Sequence, residues 1–364
     1  MDPISHTLIG ASLAETPLGR RTAMAMPTLI CGANAPDLDA ATILLGSNLS
    51  LGFRRGWTHG VLAMAVLPIV LTGLILLLDR IVARLRRKEA RARAGPVLAL
   101  AYLGVLTHPA LDWLNTYGVR VLMPFDGTWF YGDALFIIDP WVWLLAATAV
   151  VLAHTRSRPS IGGWLTLGVA VTSLVTGFAG TPRVSRLLWC AGVAAIVGLR
   201  LWGGWQRHVP RVATICLVSI SIYIVMMVGL SDFAERQVRA WLAERDDHPV
   251  AIMASPVPAN PLRYDIVVDD GEHYHFLELN WLATERIRIA GPSVDRGPRG
   301  PVIEAALTAP HVQGVRTWMR FPAFVVEETV TGYRVSISDL RYARRLGGGL
   351  GSAVVELDHE LNVR

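Results

Sequence analysis

Six apolar runs, each about the length needed to cross a bilayer, constrain this chain more than any other feature. They cover 61–79 (VLAMAVLPIVLTGLILLLD), 97–115, 135–153 (ALFIIDPWVWLLAATAVVL), 161–180, 187–203 and 212–230. A hydrocarbon core about 30 Å thick calls for roughly 20 mainly apolar residues, because a helix advances only about 1.5 Å per residue. The fourth and fifth runs read as one hairpin or as two spans. TPRVSR at 181–186 puts a proline and two arginines between them, which favours two. Composition points the same way: of 364 residues, 52% are hydrophobic and 17% charged, against about 25% charged in soluble domains. Cys31, Cys190 and Cys216 are too scattered for a disulfide framework and read as buried, unpaired thiols.

Two shorter runs, 4–14 and 22–36, precede the first span and are separated by LGRR with Arg20 and Arg21. They predict a short helical hairpin, shallow or re-entrant, that needs protein around it. The first residues, MDPISHTLIG, lack the basic segment of a cleavable signal, so the mature chain is expected to keep them. The loop 79–95 (DRIVARLRRKEARARAG) carries seven Arg or Lys and is assigned to the cytoplasm by the positive-inside rule. Alternation then places 37–60, 116–134 and everything after 231 outside. From about 231 the pattern changes: SDFAERQVRAWLAERDD is amphipathic and helical, and SPVPANP (255–261) reads as a linker. LRYDIVVDD, HYHFLELNW, AFVVEETV, YRVSISD and AVVELD then alternate with period two, as antiparallel strands do. The expected fold is a mainly α polytopic membrane protein, about six spanning helices plus a short N-terminal hairpin, with a C-terminal soluble α+β domain. The expected domains are 1–150, 151–230 and 231–364.

Polar residues gather at the segment ends assigned to one membrane side: His6; Asp37 and Asp39 in NAPDLD; His59 in RRGWTHG; His108 and Asp112 in THPALD; Asp133 and Asp139 in YGDALFIIDP. Ionisable groups are costly near hydrocarbon, so a chain that keeps them there usually uses them. His108 and Asp112 are spaced i, i+4 and point from one helix face. Imidazole with carboxylate suits zinc or manganese, whereas thiolate sites would need cysteines nearby. Blander readings exist for each: a satisfied polar pair at 108 and 112, a helix stop at 37 and 39, cap and pre-proline residues at 133 and 139. Arg54 and Arg55 are phosphate binders or simply a charged interfacial loop, and Asn115 and Tyr117 are positioned to orient the ligands. His273 and His275 share one face of a strand and read as a solvated sheet face.

HTLIG, PDLD, RGWTHG and HPALDWLNTYG followed by PFDG resemble, in that order, the YdjM-like family of bacterial inner-membrane, metal-dependent hydrolases. The resemblance covers about residues 1–150. That family is distantly similar to zinc-dependent phospholipase C and the single-strand nucleases. It implies a primary ion held by Asp39 (or Asp37), His59, His108 and Asp112. His6 would hold a second ion, with Asp112 bridging. The soluble relatives' N-terminal Trp and downstream His pair have no counterpart here, and Asp133 or Asp139 would have to substitute.

The resemblance thus implies His6, Asp37, Asp39, His59, His108 and Asp112 as metal ligands; Asp112, Asp139 as a substitute and Arg55 as a phosphate binder are the expected catalytic residues. The cofactor is expected to be zinc, one or two ions, with manganese the alternative. A bound divalent ion lowers the pKa of its water to about 7 and so supplies a nucleophile at neutral pH. The expected activity is hydrolysis of a phosphoester or ester of a lipid or lipid-linked substrate; no nucleic-acid partner is expected. A protease is disfavoured by the absence of HExxH. A non-enzymatic transporter or scaffold with a structural or coupling ion is the rival, weakened by the absence of internal symmetry.

Overall fold

A computed structural model describes residues 1–202, 204–342 and 349–364. The chain divides into two compact units. The first contains Met1–Leu38, Arg55–Leu230 and Pro256–Pro261; the second contains Asp39–Arg54, Ser231–Ser255 and Leu262–Arg364.

In the first unit, α1 (Pro3–Glu15) and α2 (Ala25–Asn34) form the short N-terminal hairpin. Asp2 caps α1 by accepting from the backbone N–H of Ile4 and Ser5, both at 3.0 Å, and Pro3 supplies the φ that a first helical residue needs. Among the described residues, five helices are long and apolar enough to cross a membrane: α4 (Val61–Leu85), α5 (Ala94–Trp113), α7 (Arg158–Gly177), α8 (Arg183–Leu201) and α9 (Val209–Ala243). The expected span over 135–153 is different. Its helix, α6 (Pro140–His154), has only 15 residues, because Asp139 caps it and Pro140 starts it. Residues 114–139 before it form an ordered excursion, with a bridge pairing Val119 and Phe130. The run 212–230 and the amphipathic stretch after it are one continuous helix, α9, of 35 residues.

Three helices in this unit approach unusually closely. A Cβ on Gly10 of α1 would lie 2.7 Å from the Leu29 carbonyl oxygen of α2, and one on Gly32 of α2 would lie 3.2 Å from Gly104 Cα of α5. Small residues let helix backbones meet where the surrounding lipid gives no hydrophobic drive. The Met1, Leu8, Leu111, Leu135, Val142 and Met227 side chains form one buried core cluster nearby.

The second unit is sheet-rich. β1 (Ala251–Val257), β2 (Asn260–Asp269), β3 (His273–Asn280) and β4 (Ile287–Ile289) lie in that order, and β5 (Val294–Asp295) also pairs with β3. β6 (Pro322–Thr329), β7 (Gly332–Asp339) and β8 (Ala353–Leu357) form a separate antiparallel sheet. Val267, Tyr274 and Phe276 of the first sheet pack with Ala323 of the second and with Phe321 and Leu340 at the ends of its strands. SPVPANP is therefore not a linker: it is the end of β1, a turn, and the start of β2, prolines being tolerated at edges and turns. Two short helices, α10 (Pro301–Ala306) and α11 (Gln313–Trp318), complete the fold. The segment 39–54 packs here as well. Asn48 of α3 (Ser47–Phe53) accepts from Gly314 N–H at 2.7 Å and donates to the Pro310 carbonyl at 3.2 Å. The cysteines are unpaired, yet only Cys216 is buried; Cys31 and Cys190 are exposed, against the expectation of three buried thiols.

Candidate metal centre

His108 and Asp112 project from the last turns of α5, and the close packing at Gly104, one turn earlier, brings α2 alongside them. The chain leaving α2 delivers Asp37. The turn before α4 delivers His59, whose Nδ1 lies 3.0 Å from Thr58 Oγ1. One ligand atom from each of Asp37, His59, His108 and Asp112 lies within 4.8 Å of all the others, with the two histidines and Asp112 fully buried. His6, one turn into α1, joins them: its ring stacks on His108 at 3.7 Å and its Nε2 lies 3.3 Å from Asp112 Oδ1.

The donor chemistry fits a divalent ion. His108 Nδ1 lies 2.6 Å from the Ala33 carbonyl, which can only accept. In the neutral ring the proton is thereby on Nδ1, and Nε2 presents a lone pair. That Nε2 is buried, makes no hydrogen bond, and faces Asp37 Oδ1 at 3.6 Å and Asp112 Oδ2 at 3.5 Å. His59 Nε2 stands 3.3 Å from the same Asp112 oxygen. A lone pair against two carboxylates is repulsive unless a cation lies between them. Ligand atoms about 2.0–2.1 Å from a tetrahedral ion are about 3.3 Å from one another, close to these separations.

Arg55 completes the centre from the side. Its buried guanidinium puts Nε 2.8 Å from Asp112 Oδ2, and its Nη1 donates to Asn115 Oδ1 at 2.7 Å. The Tyr117 ring lies 4.5 Å beneath it, and the Met1 amino nitrogen contacts Asp112 Oδ1. Asn115 and Tyr117 thus act on Arg55, and through it on Asp112.

The remaining expected residues lie elsewhere. Asp39 belongs to the second unit, where its Oδ1 is 3.8 Å from Arg54 Nε, so of the PDLD pair Asp37 is the one in the cluster. Asp139 is a helix cap. Its Oδ1 accepts from Trp141 and Val142 N–H at 2.9 and 3.0 Å, and its Oδ2 accepts from Tyr223 at 2.9 Å. Both oxygens are engaged, and the residue is outside the cluster. Asp133 lies in irregular chain at φ 46° and is likewise outside it. In the sheet region, His275 Nε2 lies 2.7 Å from Asp270 Oδ2. Slight burial pushes the Asp270 carboxyl up, but the His273 and Glu272 N–H groups and the His275 ring outweigh it and bring it down to about 2.

Two contributors escaped sequence reasoning. The Ala33 carbonyl carries no side-chain signal. Arg120, in GVR, is buried with its guanidinium 4.8 Å over the Trp129 ring, and its backbone N–H donates to the Arg55 carbonyl at 2.8 Å. A Cβ on Gly56 would strike that guanidinium at 2.6 Å, so the glycine of RRGW makes room for it.

No solved structure matches the chain. A Bacillus subtilis (strain 168) protein described as uncharacterized protein YfhP is similar to it, 22% identical over 169 residues. That match covers 44% of this chain and 49% of the relative, about half the relative's length. A family model described as YdjM inner membrane protein matches residues 1–184, which include the whole of the Asp37, His59, His108 and Asp112 cluster. With more than half of its 364 residues matched, the chain belongs to the YdjM inner membrane protein family.

Proposed function

We propose that this multi-pass membrane protein is a metal-dependent hydrolase that cleaves a phosphoester or ester of a lipid-like substrate. The observation that carries the reading is the buried cluster of Asp37, His59, His108 and Asp112, whose ligand atoms converge within 4.8 Å. These four would hold a zinc or similar divalent ion, and His6, on the other oxygen of Asp112, would help to hold a second. Such an ion supplies a nucleophilic water at neutral pH and polarises the oxygen under attack. The chain's own residues do the rest. Ala33 and Thr58 orient the two imidazoles, and Arg55 offsets the Asp112 charge and fixes the carboxylate plane. The lipid assignment rests on depth: His59 lies two residues before α4, and Asp112 one residue before the end of α5, both membrane-length helices.

The test is metal analysis of purified wild type beside Asp112→Ala, paired with turnover of phospholipid and phosphodiester substrates. Wild type is expected to retain metal and turn over an ester, and the variant to lose both. Equal metal content in the two proteins would remove the ligand assignment. Metal in wild type without turnover of any ester would favour a structural or coupling ion in a non-enzymatic transporter or scaffold.

A further inference from the structure

A second feature of the first unit takes no part in the metal centre. α1, α6, α7 and α8 enclose a cleft of about 600 Å³ lined by residues that include Leu8, Trp143, Ala147, Trp164, Gly168 and Val193. That volume lies within the ordinary range of small-molecule sites. Its wall is almost wholly apolar, and polar atoms on it have partners within the protein. Trp189 Nε1 donates to Thr172 Oγ1 at 3.0 Å. At one end, Arg200 donates to the Thr155 carbonyl at 2.7 Å and to its Oγ1 at 2.8 Å. The occupant therefore brings hydrocarbon, not hydrogen bonds. A hydrocarbon chain fits.

The Arg200 end is also basic. The chain linking α6 to α7 carries Arg156, exposed, and α7 begins at the exposed Arg158. Basic residues at the mouth of an apolar groove between membrane helices attract anionic lipid headgroups. We propose that the cleft holds an acyl chain of one anionic phospholipid, with its phosphate against Arg156, Arg158 and Arg200. The site is separate from the metal centre and does not rest on the hydrolase reading.

The test is native mass spectrometry of the full chain from nanodiscs of equimolar phosphatidylglycerol and phosphatidylcholine. Wild type is expected to keep one phosphatidylglycerol per chain, preferred over phosphatidylcholine roughly tenfold. Gly168→Leu fills the cleft at a position where an added Cβ meets nothing within 4 Å, so it should fold and lose the adduct. Gly168→Ala should keep it, and Arg156→Glu with Arg158→Glu should abolish the preference. An undiminished adduct in Gly168→Leu, its loss in Gly168→Ala, equal retention of the two lipids by wild type, or a protein dimer in place of the adduct would each overturn the proposal.

Discussion

Asp112 has neighbours on both carboxylate oxygens. Oδ1 faces the Met1 nitrogen and His6, while Oδ2 faces His59, His108 and Arg55. A buried carboxylate so placed is sensitive to the one permanent cation among these partners. Lysine in place of Arg55 keeps the charge but loses the fork that reaches Asp112 and Asn115 together. Arg55→Lys is therefore expected to weaken metal retention about 10–100-fold, the usual cost of losing a group that orients a ligand. Titration with a competing chelator measures it, and unchanged affinity would show that Arg55 does not act through Asp112. The i, i+4 spacing of His108 and Asp112 was legible in the sequence because a helix dictates it. The choice between Asp37 and Asp39 was not. Residues 35–45 form a 3₁₀ helix, and with about three residues per turn, side chains two apart point about 120° from each other. Only one can face the cluster, and which one depends on how the helix is rotated. Arg55 meets Asn115 across 60 positions of chain, a pairing that no local pattern announces.

At the scale of elements, the centre exists because α1, α2 and α5 approach at glycines. Gly10 allows no accommodation, since its neighbour is the backbone carbonyl of Leu29 and not a side chain that can swing away. Gly10→Val should push α1 from α2, at a cost of about 1–3 kcal/mol, the usual penalty for overpacking. His6 would move with the helix, so metal retention should fall along with the unfolding temperature. A thermal melt with and without chelator separates the two effects; wild-type retention in this variant would mean that His6 is dispensable. The strands beyond 262 were readable from their alternation, and β2, β3, β6, β7 and β8 fall on the expected runs. Two expectations changed for physical reasons. Prolines in SPVPANP suggested a linker, but edge positions and turns of a sheet accommodate them equally well. The apolar run 135–153 hid a cap, because Ile137 and Ile138 carry hydropathy without belonging to the helix.

That cap sets the topology of the whole molecule. α6 is 15 residues long, about 22 Å at 1.5 Å per residue, short of a hydrocarbon core of about 30 Å. With the loop 79–95 taken as cytoplasmic by the positive-inside rule, α5 is expected to end outside. If α6 crosses, α7, α8 and α9 return the chain to the outside; if it does not, the C-terminal sheets lie in the cytoplasm. Much of α6 is wrapped by protein, with Val142, Ala146, Ala149 and Leu152 wholly buried. A helix surrounded by its neighbours need not match the lipid thickness by itself, and the exposed Phe136, Ile137 and Ile138 just before it lengthen the apolar stretch. The arginines after it, Arg156 and Arg158, belong inside by the positive-inside rule. We therefore expect α6 to cross and the C-terminus to be extracytoplasmic. Cysteine labelling at Thr128 and Ser157 with a membrane-impermeant reagent, beside a reporter fused after Arg364, decides it. Labelling at 128 but not 157, with a reporter active only outside, is the expected pattern. A reporter active only in the cytoplasm would place the sheets inside, and labelling at both positions would show that α6 dips into the membrane and returns.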